Sequence, residues 1–356
     1  MEQKTGYTSI SQRAADSFRR MLAKDILGAD AAERDVRAFW GQMYEALYKS
    51  PERFGLPLTP DLWIAEDEPN AKERKQAVLQ KIKKPRTLIL QGLEFLRLAG
   101  LRGHLENGKW LVPDFSELCK EAGVSKKFLD GLAGIGLAII PSGEAAEMTC
   151  QAFPAMPVGL SRLAQQCSQV EDERLRAFCF ARCDFKVSGR AYQPAALDLY
   201  AGFDAQEAQL AAEIHRMFIG RGFQTILDAN GPFAWVVKYQ GDRKVKGTPF
   251  FEVQYEERYA DPMRLNLKCA STNRLIDLLP LQAESLQADF VRRVYPCNGD
   301  RCNWCRNQKT LGPSVLRYGG SERVVCWYSN GDIQERDAGV LELIGLYADM
   351  HEKLNN

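Results

Sequence analysis

Apolar positions recur at two different spacings along this chain, and the change between them divides it. Through the first half they fall three and four apart, as on an amphipathic helix; from about Phe223 they tend to alternate, as on a half-buried strand. Ser9, with Gln12 three residues on, has the form of a capping box and opens a helix in which Phe18, Leu22 and Ile26 repeat at helical spacing. A second helix runs from about Ala32 to Tyr48, with Val36, Phe39, Trp40, Met43, Tyr44 and Leu47 along one side. That aromatic stripe reads as core packing. Pro51, Pro57 and Pro60 break the pattern, and the polar stretch from Glu66 to Asn70 is a connector. Residues 1–70 are therefore expected to form a helical arm.

From Ala71 to Trp110 the chain is at its most basic, with ten Lys and Arg against three Glu. A helix from about Arg86 ends at Ala99-Gly100-Leu101, and Asn107-Gly108 is the dipeptide that favours a two-residue hairpin. In Phe115 to Ile135, Gly123 falls where a helix-turn-helix turns, and Leu118, Ala122, Val124, Leu129 and Leu132 stand where two crossed helices pack. Ser125 caps the second of them. Pro141-Ser142-Gly143 then leads into a return strand near Ala146 to Thr149. Helix, hairpin, crossed helices and second hairpin together resemble a winged helix, and the stretches Leu93 to Leu111 and Leu129 to Thr149 have the look of a diverged repeat. The module is placed at 71–175.

That resemblance implies double-stranded DNA as a partner. The recognition helix would offer Ser125, Lys126, Lys127, Asp130 and Gly131, with Lys81, Lys83, Lys84 and Arg86 nearby in the basic run. Base reading leans on Arg, Asn and Gln, none of which lies on that face, while lysines mostly meet phosphate. The competing view is a helix–hairpin module with a solvated basic face.

Residues 176–356 are expected to form an α+β domain. Strand candidates follow closely at Phe223 to Leu227, Phe233 to Tyr239, Phe250 to Tyr255 and Met263 to Cys269, so the sheet is antiparallel or mixed. Helices near Thr272 to Leu279 and Ser285 to Val294 cover it, and a last helix runs from Val340 to Leu354. A small anionic or aromatic ligand would be met on the wetted sheet face by Trp235, Lys238, Tyr239, Tyr255, Arg258 and Arg274, although an ordinary solvated face is the blander alternative.

Cysteines carry the sharpest chemical signal. Cys297, Cys302 and Cys305 crowd into one loop, and Cys326 follows on the β-branched and aromatic run Arg323 to Tyr328. The two-residue gap between Cys302 and Cys305 is the commonest zinc half-site, and four thiolates leave no open position, so the expectation is a closed structural Zn2+ loop. An iron–sulfur cluster ranks behind it because the glycine-rich loop and long final spacing of plant-type ferredoxins are missing. Ordinary buried thiols are the third possibility. Cys179 and Cys183, four apart on a helix, lack a third ligand nearby in sequence.

Composition narrows the function without choosing it. A formal net charge of +1 gives no global pull toward nucleic acid or membrane, so any such partner must meet a local patch. Ten cysteines in 356 residues are too sparse for a disulfide scaffold. With no apolar signal core at the start and no run of about eighteen apolar residues, no membrane association and a cytoplasmic location are expected. The phosphate-loop, dinucleotide, zinc-protease and serine-hydrolase motifs are absent, and His104, His215 and His351 are the only imidazoles. The sequence thus points to a DNA-binding regulator with a C-terminal ligand-sensing or interaction domain. An enzyme using the C-terminal sheet, or a protein-binding scaffold, are the alternatives.

Overall fold

One helix in the first half is buried on nearly every side over its last turns, with Ile89, Leu93, Phe95, Leu96, Leu98 and Ala99 all buried, while Lys81, Lys83 and Lys84 nearer its start stay exposed. Such a helix must be enclosed by others. In the computed structural model it is α3 (Ala71–Arg102), and five other helices, given below, pack around it. The structure describes residues 9–22, 29–58, 71–107, 109–241, 250–256, 262–268, 272–294, 297, 314–325, 330–336 and 339–355. They divide into two compact units: Met1–Phe203 with Ala229–Trp235 and Glu256–Pro262, and Asp204–Asp228 with Val236–Tyr255 and Met263–Asn356. By this division residues 71–175 lie in the first unit together with 176–203, and the second unit opens at Asp204.

In unit 1, α1 (Ile10–Met21) is capped by Ser9, whose hydroxyl accepts the Gln12 N–H at 3.2 Å. Asp30 caps α2 (Ala31–Lys49) in the same way through Glu33. A 3-10 turn, Pro51–Phe54, follows. α3 starts at Ala71, not Arg86, and runs through Pro85; the buried proline ring serves as packing even though it gives up one backbone donor. β1 (His104–Glu106) and β2 (Lys109–Val112) close over Asn107, whose φ of 50° suits the expected tight turn. Then come α4 (Phe115–Ala122), α5 (Lys126–Gly134), β3 (Leu137–Ser142) and β4 (Ala145–Cys150). These four strands form an antiparallel sheet in the order β1-β2-β4-β3.

α6 (Met156–Cys167) is gripped from two sides by glycine contacts. A Cβ on Gly159 would lie 2.2 Å from the Ala32 carbonyl oxygen of α2, and one on Gly100 would lie 2.7 Å from the Leu160 carbonyl oxygen. No larger residue allows such an approach. α7 (Glu173–Ala181) and α8 (Ala196–Tyr200) complete the helices of this unit among the described residues. The enclosing neighbours of α3 are α1, α4, α5, α6 and α7.

Unit 2 opens with α9 (Ala205–Gly220), where Asp204 and Glu207 form a full capping box. Its sheet uses β5 (Gln224–Ala229), β6 (Ala234–Gln240), β7 (Phe251–Glu256), β8 (Met263–Lys268) and β11 (Asn330–Ile333), in the order β11-β8-β7-β6-β5. The β11–β8 and β8–β7 pairs are antiparallel. α10 (Thr272–Leu278), α11 (Glu284–Arg293) and α12 (Gly339–Asn355) match the expected helices to within two residues. β9 (Ser314–Tyr318) and β10 (Ser321–Val325) form a separate antiparallel hairpin over Gly319 and Gly320, which both take positive φ. Mixed helix and antiparallel sheet make this an α+β chain. No helix among the described residues is long and apolar enough to cross a membrane.

Candidate functional site

The basic module is built outward from the back of α3. Phe115 at the start of α4 meets Phe95 edge-on at 6.0 Å, and α4 ends at Gly123, whose left-handed φ of 65° turns the chain. Ser125 then accepts the Phe128 N–H at 3.2 Å, so its hydroxyl is engaged as a helix cap. The Phe128 ring occupies the space a Cβ on Gly92 would need, at 2.1 Å, which draws α5 onto α3.

Five of the expected contact residues remain exposed: Lys81, Lys83, Lys84, Lys126 and Lys127. None has an acidic partner among the described residues. Other cations of the basic run are neutralised, since Arg97 pairs with Glu94, Arg102 with Glu121 and Lys109 with Glu147. Arg86 is diverted, its guanidinium lying 5.4 Å over the Phe233 ring. On α5 the exposed positions are Lys126, Lys127, Asp130, Ala133 and Gly134, whereas Gly131 is buried against Phe54 of the 3-10 turn. The Lys127 stem also borders Gly55, so the α5 face is partly covered by its own chain.

Of the cysteine loop, Cys297 is described and half-exposed, and its N–H donates to the Val324 carbonyl at 2.8 Å. That bond sets Cys297 against β10, whose last residue, Val325, precedes Cys326 in sequence. Cys302, Cys305 and Cys326 lie outside the described residues. Among the described residues no group of three or more His, Cys, Asp and Glu is arranged to hold a metal.

The expected ligand set on the sheet is divided. Trp235 and Tyr239 alternate with Lys238 along β6 and therefore point to the opposite side, as the two-residue period of a strand requires. Trp235, Tyr239 and Tyr255 are all buried; Trp235 packs on Tyr200 and Phe203, and Tyr239 stacks on Phe218 at 4.6 Å. Lys238 pairs with Asp228 at 2.9 Å. Arg258 and the side chain of Arg274 lie outside the described residues.

Both imidazoles of unit 2 are partly sunk in its core, and burial lowers the pKa of His215 and of His351. His351 stacks on Phe250 with ring centroids 4.4 Å apart. A histidine whose folded pKa lies below its unfolded value of 6.5 takes up its proton more readily when unfolded. Its stabilisation is present above that pH and is lost as pH falls through the folded value. Unit 2 is therefore expected to weaken as pH falls below 6.5, and His351→Phe should flatten part of that slope. Urea melts across this range check it; a slope unchanged in the variant would assign the effect to other groups.

A buried charge pair, Arg182 with Asp184, stands at the end of α7. Asp172 caps that helix, and Cys183, in a left-handed conformation with φ of 55°, turns the chain so that Asp184 enters the core. Asp184 accepts the Lys186 N–H at 3.0 Å and the Tyr192 hydroxyl at 2.9 Å, and Arg182 Nη1 lies 3.5 Å away. Burial pushes the Cys179 thiol up to about 12 and raises Cys183 and Cys167 as well, so all three stay protonated. They are packing groups, not nucleophiles. No protein-family model, curated protein or solved structure matches the chain.

Proposed function

We propose that the chain is a DNA-binding regulator whose winged-helix-like module, α3 to β4, meets the phosphates of a duplex, and whose second unit is tied by a structural zinc ion on Cys297, Cys302, Cys305 and Cys326. The observation that carries the DNA reading is connectivity. Helix, hairpin, two short helices and a second hairpin follow in that order, and β4 sits between β2 and β3. The exposed lysines 81, 83, 84, 126 and 127 supply charge that no described acid cancels. Because α5 shows no Arg, Asn or Gln, binding is phosphate-directed and tolerant of sequence. Lys126→Glu/Lys127→Glu together with reversal of Lys81, Lys83 and Lys84 is expected to lower duplex affinity by about a hundredfold or more at low salt, measured by fluorescence anisotropy. A variant that binds as well as the parent would end this proposal.

The burial of Gly131 beneath Phe54 favours a second reading, a protein-binding scaffold built on the same module, because it narrows the face α5 would present to a groove. Retention of a protein partner at salt that abolishes DNA binding would select it.

A further inference from the structure

Beside the module, unit 1 contains a cleft of about 350 Å³ between α3 and α7. Its apolar lining comes from Leu90, Leu93, Ala177 and Phe180. Phe180 and Leu93 are buried, and Phe180 is held edge-on by Trp40 at 5.4 Å, so this part of the lining is fixed. Four charged side chains also line the cleft, and they are not equivalent. The Arg97 guanidinium is bound on two sides by the Glu94 carboxylate, at 2.7 and 2.6 Å, and that bond raises its pKa. This pair is internally neutral.

Glu173 is exposed, while Arg176, one turn further along α7, is half-buried and has no acidic partner among the described residues. A guanidinium placed beside an apolar lining, with no described carboxylate within ion-pair distance, attracts an anion that carries an apolar body. The volume admits a ligand of about ten non-hydrogen atoms, since each displaces somewhat less than the roughly 30 Å³ of a water molecule.

We propose that this cleft binds a small amphipathic carboxylate, its acid group on Arg176 and its chain or ring over Leu93 and Phe180. The site rests on its own geometry; its role as an effector site rests on the DNA-binding reading above. Leu93 and Gly92 are neighbours on α3, and Gly92 is where Phe128 seats α5. An occupant of the cleft therefore touches the helix that backs the DNA-contacting module.

The test uses the full chain without DNA. Octanoate, octylamine and octan-1-ol share a chain length and differ in charge, and each is titrated calorimetrically. Octanoate is expected to bind saturably at one site per chain, octylamine not at all and the alcohol at least tenfold more weakly. Arg176→Gln should weaken octanoate at least tenfold with the melting temperature unchanged, and Arg176→Lys should restore part of the loss. Ala177→Phe, which fills the cleft, should abolish binding of both octanoate and the alcohol. Equal binding of amine and carboxylate, undiminished binding by Arg176→Gln, or no heat from folded protein at millimolar octanoate overturns the site. Octanoate binding by a chain that ignores DNA supports the site and removes the regulatory reading instead.

Discussion

Asp184→Ala is expected to destabilise unit 1 by about 3–5 kcal/mol, the usual cost of removing one partner from a buried ion pair. Arg182 is 1 % exposed and Asp184 0 %, so neither charge can turn to water when the other is removed. The guanidinium would keep a long contact from Nε to the Met21 carbonyl at 3.5 Å and an approach of 4.0 Å to Asp198. Its Nη2 already has no hydrogen-bond partner. Removing Asp184 also leaves the Tyr192 hydroxyl and the Lys186 N–H without their acceptor. Asp184→Asn, which keeps an acceptor oxygen, should cost less. Arg182→Leu/Asp184→Leu should cost less than the sum of the two single changes, because no unpaired charge remains. Urea denaturation of the parent, Asp184→Ala, Asp184→Asn, Arg182→Leu, Asp184→Leu and the double Leu variant reads this directly. An Asp184→Ala chain within about 1 kcal/mol of the parent would mean that water reaches the guanidinium and that the pair does not organise the core.

Removing zinc should have an effect at least as large on unit 2. Purified chain is expected to contain one zinc and no visible chromophore, and a strong chelator should lower the melting temperature of unit 2 by about 10 °C or more. Structural zinc contributes roughly 10–16 kcal/mol of binding free energy, and each kcal/mol of stability is worth about 2–4 °C in a chain of this class. Cys297→Ser should release the metal while leaving the backbone bond from the N–H of residue 297 to the Val324 carbonyl in place. A brown chromophore would replace zinc with an iron–sulfur cluster. Absence of any metal from carefully reduced protein would leave the four thiols as packing groups.

Local signals in the sequence were readable where one residue dictates one backbone state. Asn107 and Gly123 both take positive φ at the expected turns, and Ser9 and Ser125 cap the helices they precede. Strands β5 to β8 lie within two residues of the expected runs because apolar and polar side chains alternate there. The start of α3 was hidden because Pro85 normally marks a helix boundary, whereas here its burial outweighs one lost hydrogen bond. Of the β9–β10 hairpin only the run from Arg323 was read as strand-like, although Gly319-Gly320 is itself a turn signal.

The candidate site was legible only in part. The lysines of the basic run are identifiable by charge, but the acids that neutralise Arg102 and Lys109 come from residues 19 and 38 positions away. Grouping Trp235, Tyr239 and Lys238 by chemistry overlooked the strand period, which separates them. The Arg182–Asp184 pair depends on Cys183 adopting a conformation usual for glycine, and a cysteine gives no hint of that. The cleft at Arg176 joins two helices far apart in sequence, and only the fold brings them together.

The DNA proposal is tested most directly by the salt dependence of duplex affinity. With two duplexes of unrelated sequence, the logarithm of the binding constant should fall linearly with the logarithm of salt concentration, with a slope of about −3 to −5 and nearly equal affinities for both. That slope corresponds to about five lysine–phosphate contacts. A flat salt dependence, or low-salt affinity no better than that of a neutral control protein, would contradict a DNA-binding role for the module.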